Sequence, residues 1–145
     1  MVEIYCVLAA LEAAAGELIA RRHPTAAQLA PLTDATQQMI KALKVSNLDA
    51  WAAADKRFHH GLLELAGNNT LMETAMALND RMHRARMFTL RLRPTPLKSA
   101  QEHMAMLDRI GAGDARGAGE ACRAHLDRVC VEFMAIFDQY RLNQM

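Results

Sequence analysis

The sequence lacks almost every mark of a β-sheet. Aromatic residues make up 5% of its 145 positions. There is no sustained apolar–polar alternation and no Asn-Gly hairpin pair. No apolar run approaches the ~20 residues that cross a bilayer, so no membrane span is expected. The opening residues, Met1 to Cys6, carry neither the basic region nor the cleavage site of a signal peptide, and a cytoplasmic location is expected. The three cysteines, Cys6, Cys122 and Cys130, form no C-x-x-C pair. Their odd number fits free, buried thiols in a reducing compartment. A net charge of +1 leaves no electrostatic footprint for nucleic acid or an anionic membrane surface.

What is present is helical. Hydrophobic residues make up 52% and charged residues 23%, as in a soluble globular protein. The length is that of one domain, able to bury roughly 70% of its unfolded surface. Ten methionines suit an adaptable core. The first helix is expected over Val2–Arg22, ending before Pro24. Thr25 and Gln28 form a capping box for the second, which contains Pro31. Asn47 caps the third, which ends at Gly67-Asn68. The fourth is expected from Thr70 to Leu92, and the fifth from a Thr95 cap with Pro96 at its first position. Asp114 caps a sixth that reaches Tyr140. Short connections make successive helices antiparallel neighbours. The fold class is all-α: an antiparallel bundle of about six to seven helices, one domain over residues 1–145.

The chemistry centres on Asp55-Lys-Arg-Phe-His59. Residues four apart lie one above the other on a helix. Trp51, Ala52, Phe58, Leu62, Leu65 and Ala66 form an apolar stripe that includes both polar positions. A buried carboxylate must be paired, hydrogen-bonded or metal-bound. His103 shares a face with Ala100, Leu107 and Ile110. His125 lies among Ala118, Ala121, Cys122, Val129 and Phe133. A lone histidine on such a face is most often a core residue with one hydrogen bond. Three imidazoles and one carboxylate on inner faces of three helices also make a complete set of ligands for a divalent transition metal. From spacing alone both readings stand. Three other histidines look unremarkable: His60 is rotated away from His59, His23 suits a helix C-terminus, and His83 lies on a basic face.

Taken together, several segments resemble the FCD effector-binding domain of GntR-type transcription regulators. They are Val7-Leu-Ala-Ala-Leu-Glu12, Asp55-Lys-Arg-Phe-His-His-Gly-Leu-Leu63, Ala66-Gly-Asn-Asn-Thr-Leu71, Glu102-His103, Gly113-Asp114 and His125-Leu126, and the likeness covers nearly the whole chain. The resemblance implies that Asp55, His59, His103 and His125 hold one divalent ion (zinc, nickel or manganese) at the bundle centre. It further implies a small carboxylate effector (an organic or sugar acid), a homodimer, and a sensory rather than enzymatic role. DNA contact would come only through an N-terminal winged helix-turn-helix, which these residues do not include. Many relatives carry an arginine four residues before the first-helix glutamate; here that position is Leu8.

An anionic effector needs a cation beside the metal. The fourth helix offers Arg81, Arg84, Arg86, Arg91 and Arg93. Its apolar stripe through Leu71, Ala75, Leu78, Met82 and Thr89 turns Arg86 inward first and Arg81 second. The alternative function is a small helical mononuclear metalloenzyme acting on a carboxylate-containing substrate, although no convincing general base accompanies the four ligands. A DNA-binding module built on Thr25–Ala30 and Leu43–Ser46 is disfavoured by the neutral charge and the missing glycine turn.

Overall fold

The computed structural model describes residues 1–143. The described residues form an all-α bundle of six helices: α1 (Val2–Arg21), α2 (Ala26–Lys44), α3 (Leu48–Leu65), α4 (Asn69–Thr89), α5 (Leu97–Gly111) and α6 (Ala115–Leu142). Among these residues no helix is long and apolar enough to cross a membrane.

The starts of α2, α3 and α6 follow the expected chemistry. Thr25 Oγ1 accepts from the Gln28 amide while the Gln28 side chain accepts from the Thr25 amide. Asn47 and Asp114 accept from the amides of Ala50 and Gly117. Pro31 is accommodated in the second turn of α2, which continues through it. Two starts differ from expectation. Asn68 caps α4, its side-chain oxygen reaching the Leu71 amide at 3.0 Å, so the helix begins at Asn69, one residue before the expected Thr70. Thr95 does not cap α5. Its carbonyl takes the Leu97 amide in a tight turn at 2.9 Å, so the helix begins one residue beyond Pro96. α4 stops at Thr89 rather than Leu92, where the Leu92 amide turns back to the Thr89 carbonyl.

α1 is the hub, packing most extensively on α6 and also touching α3, α4 and α5. Its small residues permit this. Gly16 sits mid-helix, where glycine costs about 1 kcal/mol relative to alanine. A Cβ there would stand 2.9 Å from Cys122 Sγ and 3.5 Å from the Ala118 carbonyl oxygen. Gly16 lies against Ala118 and Cys122, while the Tyr5 and Phe133 rings meet tilted with centroids 5.9 Å apart, so α1 and α6 run antiparallel. We expect Gly16→Val to destabilise the protein by about 1–3 kcal/mol through overpacking at this crossing. Urea denaturation should show a lower midpoint at unchanged m.

The main core joins Leu8, Ile19, Phe58, Leu62, Met106, Ile110 and Leu126, among others; a second cluster gathers Met39, Trp51, Ala54, Leu90 and Ala100. All three cysteines are free, but only Cys122 is buried; Cys6, expected inside, is exposed and Cys130 half-buried. Both line a groove on the outer side of the α1–α6 pair, past the row of small residues where the helices touch.

Candidate metal centre

The three predicted histidine ligands come together inside the bundle, and Asp55 lies beside two of them. α3 supplies Asp55 and His59 one turn apart; α5 supplies His103 and α6 His125, and all four are buried. The three imidazoles can offer one nitrogen each within 4.8 Å of one another. His103 Nε2 lies 3.2 Å from His125 Nε2 and 3.7 Å from Asp55 Oδ1, and His59 Nε2 lies 3.5 Å from Asp55 Oδ1. Ligand atoms about 2.0–2.2 Å from one ion sit roughly 3–3.5 Å apart, so this spacing fits a shared divalent cation.

The opposite edges of the rings explain their orientation. Glu12, fully buried on α1, brackets His59 Nδ1 with both oxygens at 3.0 and 2.9 Å. Glu102 on α5 accepts from His125 Nδ1 at 2.5 Å and is held by Arg128, which also donates to Ser99 and Glu132. A proton kept on Nδ1 leaves the Nε2 lone pair aimed at the centre. Among the described residues His103 has no partner at Nδ1; its ring is instead stacked on Phe58, with centroids 3.9 Å apart and planes 9° from parallel.

The electrostatics divide the histidines. Burial opposes charge on His59, but Glu12 and Asp55 face it from two sides and raise it to about 10. Burial depresses His103 well below its ordinary value, helped by the neighbouring His125 and His59. Burial also depresses His125, with Glu102 opposing only in part. Burial would raise Asp55, yet His59, Arg86 and His103 hold its carboxyl well below the carboxylate range. Hydrogen bonds from His125 and Arg128 overcome burial at Glu102 and lower it to about 2.

Arg86 is buried, its Nε 3.9 Å from Asp55 Oδ2. It donates to Asn79, which in turn donates to Glu12. Arg81 is exposed on the far side of α4, and the structure does not bring it to the cluster. Its position, five residues before Arg86, turns it more than a right angle away on the helix. His60 reaches across to Asp80 on α4 at 3.1 Å.

With this geometry in view, the sequence comparisons are decisive. Residues 3–128 match the FCD domain family. The chain belongs to that family. This FCD domain is 47% identical over 66 residues to an uncharacterized HTH-type transcriptional regulator in the TAR-I ttuE-ttuC' intergenic region of Agrobacterium vitis. That stretch covers 44% of the chain and 39% of the relative. It is 34% identical over 87 residues to the putative L-lactate dehydrogenase operon regulatory protein of Escherichia coli (strain K12), covering 56% of the chain and 33% of that relative. A third relative, an uncharacterized HTH-type transcriptional regulator in an unstable DNA locus of Streptomyces ambofaciens, is 30% identical over 83 residues, 57% of the chain and 35% of the relative. The matches thus span little more than a third of these proteins. Family and relatives point to transcription regulation, not to an enzyme.

Sequence reasoning assigned no role at the site to Glu12, Glu102 or Asn79 of this FCD domain, and did not single out Arg93 among the arginines it offered. Glu12 was legible in principle, being the one acid on the apolar face Leu8, Ala9, Ala13, Gly16 and Ile19. Trp51 read as part of the apolar stripe of the third helix. Arg93 stands in the connection between α4 and α5, where no periodicity exists to say which way a side chain points.

Proposed function

We propose that this FCD domain is the effector-sensing part of a GntR-type transcription regulator. A divalent transition metal (zinc, nickel or manganese) would be held by Asp55, His59, His103 and His125, with a small carboxylate beside it and near Arg86. The observation that carries this reading is the set of inward-facing imidazole nitrogens whose outer edges are fixed by Glu12 and Glu102. Two of those imidazoles, His103 and His125, are kept neutral and face each other at 3.2 Å. Lone pairs gathered in a buried centre favour a cation. Bound metal would supply an open position for a carboxylate oxygen. Arg86 would provide positive charge next to Asp55, and Asn79 and Glu12 connect that arginine to His59.

The ligands come from α3, α5 and α6 and their supports from α1 and α4, so occupancy ties together five helices. An effector that prefers one arrangement of them shifts their packing by its differential affinity. In the whole regulator, a cytoplasmic homodimer in this reading, the shift would reorient attached DNA-binding domains. The E. coli relative's name makes 2-hydroxy acids sensible first candidates.

Thermal shift against organic and sugar acids checks the effector. At a hundred times its Kd, an acid should add about 2.7 kcal/mol of stability. The gain should vanish after chelation and return with metal. Stabilisation that ignores metal, or no response across the panel, would defeat the carboxylate-on-metal reading.

A further inference from the structure

Beside the centre lies a cavity of about 10 Å³ bordered by Trp51, Asp55, His59, Arg86, Arg93, Ser99 and His125 among others. Around it collect buried polar atoms that have no hydrogen-bond partner among the described residues. They are Trp51 Nε1, Arg86 Nε, and Nε and one terminal nitrogen of Arg93; outside the cavity lining, Tyr5 Oη, influenced by the same two arginines, is a fifth. All five carry a hydrogen to donate. Trp51 and Tyr5 are each 2% exposed, so bulk water does not serve them. A space of this size holds at most one water, whose oxygen accepts two hydrogen bonds. Three donors would still go unmet, each at a cost of about 1–3 kcal/mol.

A carboxylate brings about four acceptor sites in one plane. The charge agrees: two guanidiniums border the cavity, and the carboxylate facing them, Asp55, is shared with His59 and His103. Arg93 is also held in place, its guanidinium carbon 5.7 Å from the Trp51 ring and 5.0 Å from the Phe133 ring. Leu8, fully buried on α1, adds no charge; what α1 contributes here is the Tyr5 hydroxyl.

We propose that Arg93, with Arg86, Trp51 and Tyr5, forms an oxyanion seat for a carboxylate of the effector, on the Arg93 side of the cavity that borders the centre. This rests on the metal-and-carboxylate reading and narrows it. The ligand is a bifunctional acid, one group reaching the centre and the other held by Arg93. Arg93 then sets specificity, and a monofunctional acid such as acetate binds weakly. Because the cavity is small, entry requires the 90–96 connection carrying Arg93 to move outward.

Trp51 is the single tryptophan, so its fluorescence reports on the seat directly. The experiment titrates acetate, glycolate, malonate and inorganic phosphate into wild type, Arg93→Met and Tyr5→Phe, both metal-loaded and chelator-treated. Metal content is measured for each protein. Loaded wild type should give a saturable change with glycolate or malonate, at least tenfold tighter than with acetate. Arg93→Met should weaken it at least tenfold while retaining metal. Tyr5→Phe, which removes a single oxygen, should weaken it about threefold and keeps the test valid if the arginine variant misfolds. A silent Trp51, or equal affinity in the variants, overturns the seat. Phosphate binding as tightly as the carboxylates overturns the ligand class. A saturable response in wild type that holds no metal would sustain the seat while defeating the metal centre; metal bound with Trp51 silent would do the reverse.

Discussion

Wild-type protein purified without added metal or a histidine tag should carry close to one equivalent of a divalent transition metal, and an Asp55→Ala/His103→Ala double variant should carry none. The two positions come from different helices, α3 and α5, and each lies within 3.7 Å of another ligand atom. Removing both leaves only His59 and His125, too few for a stable site. Metal present at a thousand times its Kd adds about 4 kcal/mol of stability. For a chain of this size that is roughly 10–15 °C in midpoint. Chelation should therefore lower the wild-type melting temperature by that amount and leave the double variant unmoved. Elemental analysis and calorimetry with and without chelator check both halves. Wild type that stays free of stoichiometric metal even after reconstitution would remove the basis for the centre.

The second large effect concerns Glu12. It is fully buried and holds His59, and through Asn79 it is linked to Arg86. Breaking a buried charged pair by removing one partner costs about 3–5 kcal/mol, because the remaining charge is left without compensation. Glu12→Leu should lose that much in the chelated protein, measured by urea denaturation at neutral pH. Its metal affinity should fall by about 10–100-fold, as for other losses of support behind a ligand histidine.

The pH dependence carries a distinct signature. His59 is raised in the folded chelated protein to about 10, against 6.5 unfolded. Its stabilisation is therefore complete below 6.5 and is lost as pH climbs through about 10. His103 and His125 are shifted downward, so the unfolded chain binds their protons first and stability also falls as pH drops below 6.5. The chelated protein should be most stable near neutrality and decline on both sides. Glu12→Leu should lose most of the alkaline limb and keep the acid one. Metal binding, which displaces the His59 proton, should tighten with rising pH over the same alkaline interval. A wild-type stability that is flat from pH 7 to 10 would contradict the pairing.

Much of the architecture could be read without coordinates, because the signals were local. Thr25, Gln28, Asn47 and Asp114 sit where side-chain oxygens meet orphan amides, and those caps formed. The misread cap, Thr95, instead gives its carbonyl to the Leu97 amide in a tight turn, a local alternative the sequence does not separate from a cap. Asp55, His59, His103 and His125 were legible as inward-facing because each residue advances about 100° around a helix, so spacing from the apolar stripe fixes the face of a side chain. Arg86 and Arg81 shared the same segment, and only the packing of α4 on its neighbours separated the buried cation from the exposed one.

The sequence by itself therefore determined the helices, their inner faces and the identity of four buried polar residues on them. These follow from periodicity and from capping chemistry, which act over a few residues. The tertiary structure alone decided the distances between those residues. It also decided which carboxylate stands behind which imidazole, the pairing of Glu12 with His59 and of Glu102 with His125. It brought Trp51, Arg86 and Arg93, separated by up to 42 positions along the chain, to one donor-lined cavity. Contacts between distant segments depend on crossing angles and close approaches such as Gly16 against Cys122. Those are set by the packing of whole helix surfaces rather than by any short run of residues.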